Sequence, residues 1–231
     1  MQVRNKISKQ LLVRLGLLFL VFWLPVIIFA QLADSVIDHS AIPGDVATLD
    51  ALRRLATPWL TDVMIFISNV GNAALIISVT ILGSVLLFYR YHHRRQALVL
   101  LFGVGGAGAA NILLKALFGR TRPTEVAHLV SEQSYSFPSG HAMGSSALAF
   151  SIIVILWHSR YRWPAVLLGG LYTLAIGLSR LYLGVHYPSD VIAGWCISLA
   201  WVLLVSSVIS GYPFRSVYWQ KLTFTRARNN R

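Results

Sequence analysis

The stretch VMIFISNVGNAALIISVTILGSVLLFY (residues 63–89) contains no Asp, Glu, Lys or Arg. A helix of about 20 apolar residues crosses the roughly 30 Å hydrocarbon core of a bilayer. In lipid, the backbone amides have to find their hydrogen-bond partners within the segment itself. We therefore predict that this stretch forms a transmembrane helix.

Five further stretches lack the same four charged residue types, and each is long enough to span a bilayer as a helix. They are residues 15–33, 96–114, 133–159, 163–179 and 191–214. None shows the alternation of period two that is typical of barrel strands. The sequence therefore predicts an all-α polytopic membrane protein, a six-transmembrane-helix bundle in which residues 1–231 form a single domain.

The composition excludes an ordinary water-soluble protein. The 231-residue chain is 56% hydrophobic and 12% charged, about half the charged share of a soluble domain. A net charge of +12 would suit nucleic acid if it gathered on one folded face, but here it separates the apolar stretches. We therefore expect a lipid bilayer around the protein and no nucleic-acid partner. The single cysteine, Cys196, excludes an intrachain disulfide and a zinc cluster of cysteines.

Lysine and arginine concentrate in alternate connections between the predicted spans. Residues 1–14, 90–95, 159–162 and 215–231 carry 4, 3, 2 and 5 of the 20 basic residues, and all eight acidic residues lie in the other connections. The positive-inside rule then places both termini in the cytoplasm, with residues 1–14 and 215–231 as basic cytoplasmic tails.

Two segments near the N-terminus have alternative interpretations. Basic residues before the span at 15–33 are also typical of a signal peptide, but the apolar run is long for one, so we expect the span to be retained. In residues 44–60, apolar side chains recur every three or four positions with charged residues between them. This pattern predicts a short helix in the outer membrane interface.

Several polar groups lie at the outer ends of the predicted spans. Lys115, Arg120 and Arg122 follow span three, and Arg180 follows span five. Charges at membrane depth are costly and usually functional. The segments Pro138–His141 and His186–Asp190 precede spans four and six, so they lie on the same side. We therefore expect all these groups to meet at one end of the bundle.

Fixed cations together with the amides of a helix N-terminus favour a multiply charged anion such as phosphate. Ser139 and Gly140 stand at such a start, and glycine lets the backbone approach a ligand closely. Two histidines can supply a nucleophile and a general acid. His186 and Asp190 are four residues apart, so the carboxylate can hold one ring nitrogen and leave the other to attack.

These residues resemble the signature of the type 2 phosphatidic acid phosphatase family, the membrane-embedded lipid phosphatases. Lys115 followed by six residues and Arg122-Pro123 matches the first block, and Pro-Ser-Gly-His at 138–141 matches the second. The third block, Ser-Arg, five residues, His, three residues and Asp, is matched at 179–190. The blocks cover residues 115–190, and no motif position departs from the signature.

The resemblance implies a role for each matched residue. His186 would attack phosphorus to form a phosphohistidine, Asp190 would orient His186, and His141 would protonate the leaving group and then activate water. The phosphoryl oxygens would be held by Lys115, Arg122 and Arg180, together with Ser139 and the Gly140 amide. Arg120 is not required by the signature, and we interpret it as a contact at the rim of the site.

The expected activity is metal-independent hydrolysis of the phosphomonoester or pyrophosphate head of a membrane lipid, without a cofactor. Undecaprenyl pyrophosphate is the more attractive candidate substrate, because recycling of that carrier leaves pyrophosphate heads on the outer side. Phosphatidylglycerophosphate and phosphatidate are close competitors, and relaxed specificity across all three lipids is an alternative. We expect the protein in the inner (cytoplasmic) membrane with its active site facing the periplasm or exterior. The oligomeric state is left open.

Four other interpretations of the sequence compete with a lipid phosphatase. His141, His186 and Asp190 could ligate zinc, but the neighbouring cations would repel it. Glycines at 103, 105 and 108 have dinucleotide-site spacing, but no strand precedes them; close helix packing explains them better. An anion transporter could use cations at helix ends, although these gather at one face only. A lipid phosphotransferase would need the same residues, so the motifs do not separate it from a phosphatase.

Overall fold

The computed structural model describes residues 2–210, which form helices and no strand. The helices are Gln2–Ile37 (α1), Asp45–Arg54 (α2), Pro58–Val70 (α3), Ala73–Val85 (α4), Arg94–Phe118 (α5), Gly140–Leu156 (α6), Arg162–Tyr182 (α7) and Pro188–Ser210 (α8). A π-helical turn, Leu86–Arg90, extends α4. The all-α prediction is therefore confirmed for this part of the chain. The predicted tail 215–231 and the end of the predicted span 191–214 lie outside the described residues.

Within residues 2–210, five helical segments are long and apolar enough to cross a membrane. They are Phe19–Ile37, Pro58–Arg90, Arg94–Phe118, Arg162–Tyr182 and Pro188–Ile209. One further apolar helix, α6, is shorter, with 17 residues.

The predicted span 133–159 is wrong at its beginning, because α6 starts only at Gly140. Ser139 has extended backbone angles, and its side chain accepts a hydrogen bond from the Ala142 amide at 3.5 Å, as an N-cap does. Pro138 disfavours helical angles in the residue before it. The uncharged residues 133–139 thus form a loop, and absence of charge alone does not distinguish such a loop from a helix.

The helix predicted within residues 44–60 is observed as α2, but it ends at Arg54. Residues 58–60 belong to α3, which begins with Pro58 in its first turn. Thr57 caps α3, since its hydroxyl accepts a hydrogen bond from the Leu60 amide at 3.3 Å. The cap and the proline together explain why one predicted helix is observed as parts of two.

A second cap divides the quoted stretch 63–89. α3 ends at Val70, and Asn72 caps α4 by accepting a hydrogen bond from the Leu75 amide at 2.8 Å. Both helices remain part of one candidate span, Pro58–Arg90.

Helix α6 lies at the centre of the bundle, where it packs against α5, α7 and α8. Met143 and Ala147 of α6 share a buried core with Val104 of α5 and Val202 of α8. Facing outward, Leu117 of α5 is 75% exposed, and such exposed apolar surface is suited to contact with lipid. The central position of α6 fixes its N-terminus, which carries part of the candidate site.

Candidate active site

The residues singled out from the sequence meet at one end of the bundle, where α5 and α7 end and where α6 and α8 begin. Lys115 lies in the last turn of α5, and Arg180 lies in the last turn of α7. Ser139, Gly140 and His141 lie at the start of α6, and Asp190 lies in the first turn of α8. Arg122 and His186 lie in the connections between helices. Alternating helix directions therefore bring together residues that are far apart in the sequence.

The His186 ring is buried, with 1% of the residue exposed, and both of its nitrogens have neighbours. Nδ1 lies 3.4 Å from Asp190 Oδ2 and 3.4 Å from Ser136 Oγ, and Nε2 lies 3.3 Å from Arg122 Nη1. Because a guanidinium can only donate, Nε2 is the acceptor, and the neutral ring carries its proton on Nδ1, facing the carboxylate. Nε2 therefore holds the lone pair that a nucleophile needs.

The surroundings of His186 also decide its charge. Burial lowers the pKa of the ring from 6.5 to about 4, although the hydrogen bond and the negative charge of Asp190 act in the opposite direction. The positive charges of Arg180 and Arg122 add to the effect of burial. His186 is therefore a neutral imidazole at neutral pH, which is the form that can attack phosphorus.

The Asp190 side chain is completely buried, and each of its oxygens accepts hydrogen bonds. Oδ2 accepts from the Ser136 hydroxyl and from the Tyr187 amide at 2.9 Å. Oδ1 accepts from Arg120 Nη1 at 2.6 Å. A buried carboxylate requires such partners. The interpretation of Arg120 as a rim contact is therefore wrong: its side chain is 16% exposed and binds the carboxylate behind the nucleophile.

Two of the expected phosphate-binding cations are held by the loop that precedes α6. Lys115 Nζ donates to Ser134 Oγ at 2.9 Å and to the Tyr135 carbonyl. Arg122 donates through Nε to the Ser134 carbonyl at 2.8 Å and through Nη1 to the Val185 carbonyl at 2.6 Å. The backbone of this uncharged loop thus fixes two positive charges beside His186.

Arg180, the third expected cation, is 3% exposed. It donates through Nη1 to Ser68 Oγ at 2.6 Å and through Nη2 to the Glu132 carboxylate. Glu132 also lies 3.6 Å from Arg122 Nη2. Burial alone would raise the pKa of Glu132, but the charges of Arg180 and Arg122 outweigh it and hold that pKa below its ordinary value. A carboxylate therefore lies between two guanidinium groups expected to bind phosphate.

The start of α6 is fixed by a buried asparagine. Asn111 Nδ2 donates to the Pro138 carbonyl at 3.0 Å, and a Cβ added to Gly140 would lie 3.0 Å from Asn111 Oδ1. Ser139 is fully buried and its hydroxyl caps the helix, whereas Gly140 and His141 line a cavity. The His141 ring forms no hydrogen bond with another residue of the described part of the chain, so it is available to a ligand.

That cavity has a volume of about 670 Å³ and joins two different environments. Its polar end is lined by Lys115, Arg122, Glu132, His141 and His186. Its apolar part is lined by residues of α4 and α5, including Ile77, Ile81, Leu101, Gly105 and Ile112. From Lys115 to Leu101, α5 extends for about 21 Å at 1.5 Å per residue. The site thus opens into a long apolar groove between two candidate membrane helices.

The glycines of α5 correct part of the packing prediction. A Cβ on Gly103 would lie 2.5 Å from Ser151 Oγ of α6, so close helix packing does explain this residue. Gly105 and Gly108 have no neighbouring atom within 4 Å of such a Cβ, and both line the cavity. Close packing is therefore the wrong interpretation for these two, whose missing side chains widen the groove.

Sequence reasoning missed the roles of Arg120 and Glu132. Both lie in the connection between α5 and α6, and their charge at a membrane surface was the available signal. No periodic sequence pattern shows in which direction a side chain of an irregular loop points. Asp45 was also missed, because it was assigned to an interfacial helix and not to the site.

Comparison with known proteins gives a consistent result. Residues 96–212 match the family model described as the PAP2 superfamily. Phosphatidylglycerophosphatase B of Bacillus subtilis is 31% identical over 183 residues, which cover 77% of this chain and 89% of that protein. The undecaprenyl-diphosphatase of Sulfolobus acidocaldarius is 32% identical over 159 residues, covering 67% and 71% of the two chains. The crystal structure of a PAP2-type phosphatidylglycerolphosphate phosphatase from Bacillus subtilis matches with a TM-score of 0.71 and 28% identity, over 84% of this chain and 98% of that chain.

The family match and the fold together define a multi-pass membrane lipid phosphatase, that is, a hydrolase. The chain belongs to the PAP2 superfamily, as the three sequence blocks predicted. Helix α2 lies before the residues that match the family model.

Proposed function

We propose that this protein hydrolyses the phosphomonoester or pyrophosphate head of a membrane lipid through a phosphohistidine formed on His186. The observation that carries the proposal is the cavity, which places His186 and His141 at the polar end of an apolar groove. Such a cavity suits an amphiphile whose phosphate reaches the charged residues while its tail stays at the depth of the bilayer.

In the first step, the lone pair of His186 Nε2 attacks the terminal phosphorus, and the bond from that phosphorus to the leaving oxygen breaks, which is the lipid oxygen in a monoester and the bridging oxygen in a pyrophosphate. His141, in its protonated form, gives its proton to the departing oxygen. Asp190 stabilises the positive charge that develops on the His186 ring, because its Oδ2 faces Nδ1 at 3.4 Å. The lipid alcohol, or the lipid monophosphate from a pyrophosphate, is the first product.

In the second step, His141 removes a proton from water, and the resulting hydroxide attacks the phosphohistidine. The N–P bond breaks, inorganic phosphate leaves, and His186 and His141 return to their initial states. Negative charge spreads over the phosphoryl oxygens in both transition states. In this proposal, Lys115, Arg122 and Arg180, together with the amide at the start of α6, stabilise that charge.

Glu132 contacts two of the arginines that are expected to bind the phosphoryl group. Its carboxylate contacts Arg180 and Arg122. A phosphoryl group carries more negative charge and more acceptor oxygens than a carboxylate. We therefore propose that substrate binding displaces Glu132 from the two guanidinium groups. In this proposal the structural N-cap Ser139 supports the site through the backbone of α6.

Undecaprenyl pyrophosphate is the substrate we favour, with phosphatidylglycerophosphate and phosphatidate as the nearest competitors. Two relatives carry the names undecaprenyl-diphosphatase and phosphatidylglycerophosphatase B, which supports both head-group classes. The groove is long and lined mainly by apolar side chains, which favours a lipid with a long hydrocarbon tail.

We also propose that six helices span the inner membrane, with α6 as the shortest of them. The single membrane domain would have both termini in the cytoplasm and its active site facing the periplasm or exterior. The distribution of basic residues supports this orientation. We propose metal-independent catalysis without a cofactor, because Lys115, Arg122 and Arg180 supply the positive charge that a phosphoryl group needs.

The test is release of inorganic phosphate by the purified full-length protein in detergent with a chelator present. The three lipids named above are compared at equal mole fraction. We expect release that persists in chelator, with the relative rates ranking the substrates. Loss of activity in chelator would contradict metal independence. A newly phosphorylated lipid without free phosphate would establish a phosphotransferase, and no turnover of any lipid would favour a transporter.

The role of the groove has its own test. Gly108→Leu places a side chain in the cavity, whereas Gly170→Leu on α7 is a matched control, since a Cβ there also has no neighbour within 4 Å and Gly170 does not line the cavity. We expect Gly108→Leu to raise KM for the long-chain lipids about tenfold, the size of a lost apolar contact. KM for a soluble phosphomonoester should stay unchanged. An equal effect on KM for both substrates would contradict the proposed role of the groove in binding the lipid tail.

A further inference from the structure

Arg120 joins two buried carboxylates that come from distant parts of the chain. Nη1 donates to Asp190 Oδ1 at 2.6 Å, and Nη2 donates to Asp45 Oδ2 at 3.0 Å. Asp45 and Asp190 are 4% and 0% exposed. The guanidinium group also lies over the Tyr187 ring, 4.2 Å from its centre. These three groups therefore fix the position of one guanidinium behind His186.

Asp45, the first residue of α2, also binds the start of α8. Its Oδ1 accepts from the Ser189 amide at 3.0 Å, and its Oδ2 accepts from Ser189 Oγ at 2.6 Å. Ser189 Oγ in turn accepts from Arg120 Nη1 at 2.7 Å. Asp45, Arg120 and Ser189 thus form a closed hydrogen-bonded ring directly beside Asp190.

The geometry of Asp190 depends on this ring. Arg120 binds Oδ1 and so sets the plane of the carboxylate, which leaves Oδ2 facing His186 Nδ1 at 3.4 Å. Rotation of the carboxylate would move Oδ2 away from the imidazole. A carboxylate that holds a catalytic histidine has to keep its orientation, since misplacement by about 1 Å can cost 10²-fold in rate.

We propose, on the basis of the proposed phosphatase function, that Arg120 and Asp45 are positioning residues for the nucleophile. Arg120 orients Asp190, Asp45 orients Arg120, and catalysis therefore depends on the docking of α2 against the start of α8. Neither residue is required by the three signature blocks, and Asp45 lies outside the residues that match the family model.

The competing explanation is that Asp45 only anchors α2 to the bundle through Ser189. An anchor would change the stability of the protein and the amount that folds, but not the turnover of the folded molecules. A positioning residue changes kcat and leaves KM unaltered, because neither Asp45 nor Arg120 lines the cavity. The two explanations also differ in how the effects of two substitutions combine.

The experiment measures kcat, KM and thermal unfolding of Arg120→Gln, Asp45→Asn and the double variant, in detergent. We expect kcat to fall about 10²-fold for Arg120→Gln and about tenfold for Asp45→Asn, with KM within about twofold of wild type. Asp45→Asn should add less than about twofold in the Arg120→Gln background, since it acts through Arg120. Asp50→Asn and Arg54→Gln, on exposed positions of the same helix, should match wild type.

Three results would overturn the proposal: folded Asp45→Asn with wild-type kcat, losses that multiply fully in the double variant, or an effect on KM alone. If Arg120→Gln does not fold, Arg120→Lys replaces it. A lysine keeps the charge but cannot bridge both carboxylates with a planar fork, so its kcat should still fall. Absence of turnover in wild type and in Asp50→Asn would reject the proposed function itself, which separates the two failures.

Discussion

Arg120 and Arg122 are separated by one residue, yet their side chains lie on opposite sides of His186. Arg120 binds Asp190 and Asp45 behind the ring, where every charge has a buried partner. Arg122 lies at Nε2, on the side of the cavity, and its nearest carboxylate belongs to Glu132 at 3.6 Å. The rear side of the histidine is therefore closed, whereas the front side is open to a ligand.

Because of this difference, we expect Arg120 and Arg122 to have different functions. Behind His186, the carboxylate partners are internal and permanent, so they fix the orientation of the ring. In front of it, Glu132 contacts Arg122, which also lines the cavity, and we propose that an incoming anion replaces the carboxylate there. We expect substitutions behind the ring to change kcat alone, and substitutions in front of it to change the binding of phosphate as well.

His186→Ala removes the imidazole that lies between Arg120 and Arg122 and should cause the largest loss of activity. Without Nε2 no phosphohistidine forms, so phosphate release should fall by at least about 10³-fold. His158→Ala, a substitution at an exposed histidine, is the control and should retain wild-type activity. The check is phosphate release, with trapping of the phosphoenzyme by acid quench. A folded His186→Ala protein with substantial turnover would exclude His186 as the nucleophile.

His141→Ala belongs to the same comparison, because His141 faces the cavity and lacks a hydrogen bond to other described residues. Its loss should leave the nucleophile intact but remove the proton donor, with a nearly complete loss of turnover expected. Comparable activity of the folded variant and wild type would reject the assignment of His141.

Arg122→Gln should have the next largest effect, because it removes a charge that faces the phosphoryl group. We expect kcat/KM to fall about 10²-fold, as for loss of one group that stabilises transition-state charge. In contrast to Arg120→Gln, the loss should include a rise in KM. Steady-state kinetics of the two variants on the same lipid make the comparison. An unchanged KM in Arg122→Gln would show that the front and rear arginines do not differ in the way proposed.

The sequence was sufficient to predict most helices, because charged residues mark the places where the chain leaves the lipid. The prediction 96–114 lies within α5, Arg94–Phe118, and 163–179 lies within α7, Arg162–Tyr182. The same rule failed at α6, since residues 133–139 are uncharged and yet form a loop, of which residues 136–139 are buried against the protein. Hydropathy does not distinguish burial in lipid from burial against protein.

For the site, the sequence predicted which residues meet but not how they are connected. The order of helices brings Lys115, His141 and Asp190 to one end, and this follows from counting spans. The position of Glu132 and the direction of Arg120 depend on the conformation of an irregular loop. These contacts involve backbone carbonyls and side chains without any periodic pattern, so only the three-dimensional structure identifies them.

The protonation of His186 gives a fourth prediction. The nucleophile reacts as neutral imidazole, so the ionisation of His186 lowers kcat/KM only as the pH drops below the pKa of this ring, whereas loss of the proton that His141 donates lowers kcat/KM as the pH rises. With a pKa of about 4, the enzyme at pH 5 should be about 30-fold more active than with an ordinary histidine of pKa near 6.5. The kinetics have to be corrected for ionisation of the substrate. A titration of labelled histidine by NMR, with His186→Asn to assign the signal, checks the value directly. A midpoint near 6.5 would contradict it.

Glu132→Gln should have the smallest effect, and its sign is opposite to that of the others. Glu132 contacts Arg180 and Arg122, so in the proposed mechanism its negative charge competes with the phosphoryl group. The amide keeps a hydrogen-bond acceptor for Arg180 but removes the charge. We expect KM to fall about threefold with little change in kcat, since a partly exposed ion pair contributes at most about 1 kcal/mol.

Glu125→Gln is the matched control, because Glu125 lies in the same loop but contacts Tyr187 instead of a phosphate-binding arginine. Its KM should equal that of wild type. If Glu132→Gln instead raised KM, the carboxylate would serve to hold Arg180 and Arg122 in place and not to occupy their ligand position. Arg122 would then have a permanent carboxylate partner, as Arg120 has. The two arginines would differ only in the residues that they contact.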